Sequence, residues 1–231
     1  MTRVELRNEF YQRCPDSPAT TAQANLWAQR GANHIARVLE LFPTSGNINI
    51  TASTGTYNLT TAFSTFLKLD LRGGVSYYDG SDYRVLKQVN RAWMDTNVAD
   101  WRNADADEPI AFFKEGNNLI LYPTPATAKT NGLKVFYYAL PTQFSNDADD
   151  PFNSRTDLAD LHEGIVLYMI RKAKQAIGEY EQANQALAEF NNFLRETESW
   201  LSKDEEVVNE IFRPYHQSPT ISYSDPNTWG F

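Results

Sequence analysis

Carboxylates are the densest chemical resource in this sequence. Asp105-Ala106-Asp107-Glu108 and Asp147-Ala148-Asp149-Asp150 each place three acids within four residues, a set that could supply oxygen ligands to Ca²⁺. Neither run extends into the twelve-residue loop with a central glycine and a closing glutamate that such a site needs, so both read as solvated turns. The three histidines, His34, His162 and His216, have no second histidine or cysteine at ligand spacing. His34 and His162 fall on predicted helices as polar-face or boundary residues. There is no G-x-S-x-G elbow, no H-E-x-x-H and no glycine-rich loop opening a helix. A serine or cysteine nucleophile would lack an orienting base. The expectation is therefore no catalytic residue, no metal site and no cofactor.

Two further groups suit binding. Arg171, Lys172 and Lys174 cluster on a predicted helix, where they could face a phosphate or a partner's carboxylates. They also sit opposite that helix's apolar stripe, where a solvated face belongs, and this plainer reading is preferred. The last stretch, from Val207, scatters Phe212, Tyr215, Tyr223, Trp229 and Phe231 among Pro214, Pro219 and Pro226. Prolines at that density prevent a regular element, yet the aromatic content exceeds that of an ordinary solvated tail. Either the segment folds back over its own helices, or it is an arm that docks into a groove on another chain. The arm is preferred, because interfaces concentrate their energy in Trp, Tyr and Arg, and an extended segment can also add backbone hydrogen bonds to a strand edge.

The elements that would position these residues follow from periodicity. A chain of 231 residues can bury one full core, or one core with an inserted subdomain. Its net charge of -8 argues against broad attraction to nucleic acid or anionic membrane. One cysteine, Cys14, leaves no intramolecular disulfide framework, and no apolar run approaches a membrane span. These features lead to the expectation of a soluble protein of a reducing interior. Residues 3–13 form a short helix with Leu6 and Phe10 on one side. Cys14 to Pro18 stops it. Thr20 with Gln23 is a capping box for a long helix whose stripe is Ala24, Trp27, Ala28, Gly31, Ile35, Val38 and Phe42. Pro43 to Gly46 is expected to end that helix.

The period then changes to two. Ile48 and Ile50 alternate with asparagines, and Phe66 to Leu71 alternates cleanly. Tyr83 to Val89 reads as one further strand, followed by a short helical piece from Arg91 to Asn97 and a loop from Ala99 to Pro109. Ile110 to Pro141 reads as three consecutive antiparallel strands, a meander turning first at Gly116-Asn117 and broken by Pro123 and Pro125. Ser154 with Asp157 is a second capping box, opening a helix lined by Leu158, Leu161, Ile165, Tyr168, Met169, Ala173, Ala176 and Ile177. Gly178 separates it from a helix lined by Ala183, Ala186, Leu187, Phe190, Leu194 and Leu201, an antiparallel neighbour. The expected fold class is α+β. A helical bundle built from both chain ends (residues 1–45 and 152–206) would carry an inserted antiparallel β subdomain (46–141), a small sandwich or partly closed barrel, and an extended C-terminal arm (207–231).

A strand ending in Leu121-Tyr122-Pro123-Thr124-Pro125, the Gly132-Leu133 opening of the next strand and the Tyr137-Tyr138 pair before Pro141 resemble the adaptor (head-to-tail connector) proteins of tailed bacteriophages. In that family a β-rich insertion interrupts a helical domain, and the order of elements is similar over most of this chain. The resemblance implies a structural virion protein, made in the host cytoplasm and placed at the head–tail junction. It would be a ring subunit, twelve copies matching the portal, with the portal protein above and tail or nozzle proteins below. It would touch passing DNA only transiently and no membrane. The five aromatics of the arm would grip the portal. Apart from the resemblance, Arg171, Lys172 and Lys174 on the helix after Ser154 stand as a candidate helical interface. The acidic balance suits a conduit wall that should not hold DNA. A competing reading is a carbohydrate- or small-ligand-binding module on the β subdomain, with Trp93, Trp101, Tyr77 and Tyr78 as an aromatic platform.

Overall fold

The computed structural model describes residues 1–70, 72–152 and 155–211. Helix α1 is Arg3–Arg13 and opens on a capping box the sequence reading did not identify: Thr2 N–H donates to Glu5 Oε2 at 2.7 Å, while Thr2 Oγ1 accepts from Glu5 N–H. Helix α2, Thr21–Leu39, opens on the expected box, with Thr20 N–H donating to Gln23 Oε1 at 2.9 Å and Thr20 Oγ1 accepting from Gln23 N–H at 3.3 Å. Each box satisfies donors that a helix start otherwise leaves unpaired. The stop of α2 differs from expectation. Glu40 takes a left-handed conformation at φ 55° and ends the helix, and the Pro43–Gly46 segment is the start of a strand.

That strand is β1, Pro43–Ile50, followed by β2 (Thr56–Asn58), the one-turn helix α3 (Leu59–Ala62), β3 (Phe66–Leu69), β4 (Val75–Tyr78), β5 (Tyr83–Val85), β6 (Lys87–Gln88), helix α4 (Arg91–Asn97), β7 (Ala111–Glu115), β8 (Asn118–Tyr122) and β9 (Lys129–Ala139). They form two sheets. One runs β1-β9-β4-β5, with β3 pairing on β9 beside β4, and the other runs β2-β8-β7-β6. Strand β9 is the spine of the first sheet, with β1 on one side and β3 and β4 in tandem on the other.

The three-stranded meander is corrected by this topology. β7 and β8 do form the expected hairpin through Gly116 and Asn117, but β9 crosses to the other sheet. Leu119 and Leu121 of β8 and Leu133, Val135 and Tyr137 of β9 are buried in one cluster with Ile48, Ile50 and Val75. Alternating strands of this kind each have one apolar face. Here those faces meet across a sandwich rather than lying side by side. The predicted strand from Tyr83 to Val89 divides for a related reason. Leu86 is buried, its N–H donating to Val75 O at 2.8 Å, and the next amide, that of Lys87, donates to Ile110 O in the second sheet at 3.0 Å. The chain changes sheet at Leu86.

After the sandwich, a 3₁₀ segment (Thr156–Leu161) leads into α5, His162–Ala176. The helix expected from the Ser154 capping box therefore begins only at His162, and Ser154 itself lies outside the described residues. Gly178, at φ 81°, separates α5 from α6, Tyr180–Ile211. Helices α1, α2 and α5 pack on one another. Tyr168 of α5 meets Phe190 of α6 edge-on at 5.9 Å, and a Cβ at Gly164 would lie against Phe193. The pairings of 168 with 190 and 164 with 193 run in opposite directions, as an antiparallel pair requires. Leu6, Phe10, Ile35, Ile165, Met169 and Phe190 are almost fully buried in this layer. The chain divides into two compact units, Met1–Leu194 and Arg195–Phe231, and the described part of the second is the continuation of α6.

Candidate interaction surface

The acidic runs lie largely in exposed turns, as expected, and several of their carboxylates have partners there. Asp147 accepts from Arg3 and Arg7 of α1, Arg3 Nη2 at 2.7 Å and Arg7 Nη1 at 3.1 Å, and these hydrogen bonds hold its carboxyl below the usual aspartate range. Asp149 accepts from the backbone N–H groups of Ser145 and Asn146, each at 2.8 Å, and Asp150 from that of Phe152 at 2.8 Å. In the first run, Glu108 pairs with Arg84 at 2.7 Å, and Asp107 Oδ1 accepts from the Glu108 amide. Among the described residues, no three His, Cys, Asp or Glu side chains gather as a metal would need. His162 is buried beside Asp150, with Nε2 3.5 Å from Oδ2, and burial lowers its pKa. His216 lies outside the described residues.

The aromatic platform does not form as one surface. Tyr77 is a core residue, almost fully buried in the sandwich. Tyr78 packs on Tyr83 at 5.2 Å. Trp101 stands edge-on to Phe113 and donates Nε1–H to Asp95, and Trp93 lies under Lys87 Nζ. A recess of about 340 Å³ is bordered by Glu40, Lys68, Asp70, Lys114 and Tyr138, but Lys68 is already paired with Glu40.

The chemically distinctive surface lies where α2 meets α5. Ala24, Ala28, Gly31, Ala32 and Ala36 give α2 a face of small side chains, and helices approach closely where the contact residues are small. A Cβ at Gly31 would already meet Tyr168 Cδ1 at 3.3 Å and Ile165 Cγ2 at 3.4 Å. This closeness brings together the cations beside the seam. Arg30, His34 and Arg37 recur at helical spacing on one face of α2, and Arg171 and Lys172 join them from α5. Burial lowers the Lys172 pKa, with the charges of Arg171 and Arg30 adding to the effect. His34 lies against Tyr168 and Phe190, with ring centroids 6.0 and 5.5 Å away. Burial lowers its pKa, and Arg37 and Arg171 push the same way. Arg171 Nε is buried without a hydrogen-bond partner among the described residues. Leu26 and Val38, each more than 40% exposed, flank the set on α2.

Of the three cations singled out in the sequence, Arg171 and Lys172 thus belong to this surface. Lys174 is engaged instead by Glu179, its Nζ donating to Oε2 at 2.7 Å. None of the three is fully solvated. Arg30 and Arg37 were missed. The signal was present in their spacing with His34, but nothing local shows that a second helix adds its cations to theirs. The other predicted site residues, Phe212, Tyr215, Tyr223, Trp229 and Phe231, lie outside the described residues, and α6 carries the chain in helix as far as Ile211.

Among the described residues no helix is long and apolar enough to cross a membrane. Comparison with curated proteins finds no match. Residues 1–211 match the family model described as SU10 adaptor protein, and the chain belongs to that family.

Proposed function

We propose that this adaptor-family protein is a ring subunit that joins the portal of a tailed phage to the tail and continues the channel for DNA. The supporting observation is the family match over residues 1–211, which spans the helical layer and the sandwich together. In this reading, residues 1–45 and 152–206 form the ring body and residues 46–141 are an insertion that projects outward or toward tail or nozzle proteins. Assembly is cyclic, twelve copies matched to the portal, through a head-to-tail interface that closes on itself. The role is binding without turnover, at the head–tail junction of the virion.

The portal grip is assigned to the aromatic segment after the family match ends, with Tyr223 and Trp229 as anchors. An arm that orders on docking loses conformational entropy at that step, so its contacts form only where a complementary groove exists. This would make assembly sequential: portal first, adaptor second, tail third.

The test is the mass, by light scattering after size exclusion, of the protein mixed with the portal of its own virus. The full-length chain is compared with a version ending at Ile211. A ring-sized increase that disappears on truncation supports both the adaptor role and the arm. An increase unaffected by truncation keeps the role and moves the contact to the helices. No increase with either form overturns the proposal.

A further inference from the structure

The α2–α5 surface presents Arg30, Arg37, Arg171 and Lys172 without a carboxylate partner among the described residues. Acids are in excess in this chain, 29 against 21 cations, and other cations such as Arg3, Arg13, Lys68 and Lys174 have found one. Arg30 and Arg37 are exposed to solvent, whereas Arg171 Nε is buried with no partner among the described residues. An arriving anion would relieve both the unpaired donor and the like charges gathered round it.

We propose that this face docks the acidic end of α6 from a second copy of the chain. The inference deepens the adaptor reading, since that second copy is the ring neighbour. The segment from Arg195 to Ile211 holds six carboxylates against two cations. Glu198 and Glu205 stand seven residues apart in the sequence, as Arg30 and Arg37 do, a separation of about 10 Å along a helix. The apolar parts also correspond. Leu26 and Val38 flank the cations, and Trp200, 51% exposed, stands near the acids. Charged groups set register and exclude wrong partners, while the exposed aromatic supplies the buried area. A nucleic acid is the poorer occupant, because the chain as a whole repels polyanions at a net charge of -8.

Sedimentation velocity on the full chain tests this, at low and high salt, with Arg30→Glu/Arg37→Glu, with Glu198→Arg/Glu205→Arg, and with the two variants mixed. The wild type is expected to self-associate with rising concentration, and each variant alone to weaken that association by roughly tenfold or more. The mixture should restore it, which also shows that both variants are folded. Association that is absent in the wild type, unchanged in the variants or unrestored in the mixture overturns the inference. Binding of a fluorescent DNA duplex that depends on Arg30 and Arg37, without self-association, reassigns the face to phosphate and also overturns it. Portal binding is measured separately on the same proteins. A wild type that binds portal but shows no such association loses only this interface, whereas loss of portal binding alone removes the adaptor reading.

Discussion

Asp147 Oδ1 accepts from Arg3 Nη2 at 2.7 Å and so ties the first helix to a loop 144 residues further along the chain. Arg7 completes the grip, its Nη2 donating to Asp147 Oδ2 at 3.2 Å. Two backbone bonds follow the same path, from the Arg3 amide to Asp149 O at 2.8 Å and from the Val4 amide to Asp147 O at 3.1 Å. The stretch is the exposed turn that its sequence predicts, and from it Asp147 also clamps the returning chain to the first helix.

The clamp has a pH signature. Hydrogen bonds from Arg7 and Arg3 hold the folded-state pKa of Asp147 below its ordinary value of 3.8. A lowered carboxylate pKa contributes stability above the unfolded-state value and loses it as pH falls through the folded one. Asp147→Asn should therefore lower Tm at neutral pH, and its difference from the wild type should close on acidification below pH 3.8. Thermal melts of both proteins across the acid range check this. A difference that stays constant with pH would mean that the carboxylate charge is not what the arginines use.

Gly132 sets how closely β9 and β1 approach. A Cβ there would sit 2.7 Å from Ile50 Cδ1 and Cγ1 and 3.0 Å from its Cβ. Ile50 is buried and β-branched, so it has little freedom to move aside. Overpacking of this kind costs about 1–3 kcal/mol, more than the roughly 0.5–1 kcal/mol that replacing a strand glycine returns. Gly132→Ala should destabilise, and Gly132→Ala/Ile50→Ala should cost less than the two single changes added together. Denaturant midpoints of the four proteins provide the cycle, and additivity would show that the two positions do not touch.

Thr20 is the start signal for the helix that carries Arg30 and Arg37. Losing an N-cap side chain costs about 1 kcal/mol, while exchange for another good cap costs a few tenths. Thr20→Ala should lower the chemical-denaturation midpoint, and Thr20→Asn should leave it nearly unchanged. Equal losses from both would mean that Thr20 acts by packing rather than by accepting from the Gln23 amide.

The helices were legible because their signals are local. The Thr20–Gln23 box, the Leu6 and Phe10 spacing and the Arg91–Asn97 segment each appear where the sequence places them. The strands were legible as strands but not as sheets. Leu119 and Leu133 carry the same alternating pattern, and nothing in that pattern says whether two such strands pair edge to edge or face each other across a core. Leu86 shows the same limit: Tyr83, Val85 and Val89 are apolar neighbours in the same segment, and nothing in the sequence says that Leu86 is the one whose burial moves the chain between sheets. The binding face was half legible. Arg171 and Lys172 stand adjacent in sequence, but their partners Arg30 and Arg37 are more than 130 residues earlier, joined to them only by the packing of α2 on α5.

His34 offers a direct report on that face. Partial desolvation where the otherwise exposed ring meets Tyr168 and Phe190 lowers its pKa below 6.5, and Arg37 on its own helix and Arg171 on α5 lower it further. A depressed histidine is neutral in the folded chain at neutral pH. The unfolded chain takes up the proton first as pH falls, so stability is lost between the unfolded and folded values. His34→Gln should remove that part of the acid destabilisation. An NMR titration of the ring should give a midpoint below 6.5 for the free protein. Carboxylates arriving from a second copy would offset the neighbouring guanidinium charges, and the midpoint should then rise in the self-associated protein. A midpoint unchanged on association would place the incoming acids away from His34 and separate the Arg30–Arg37 face from the contact between copies.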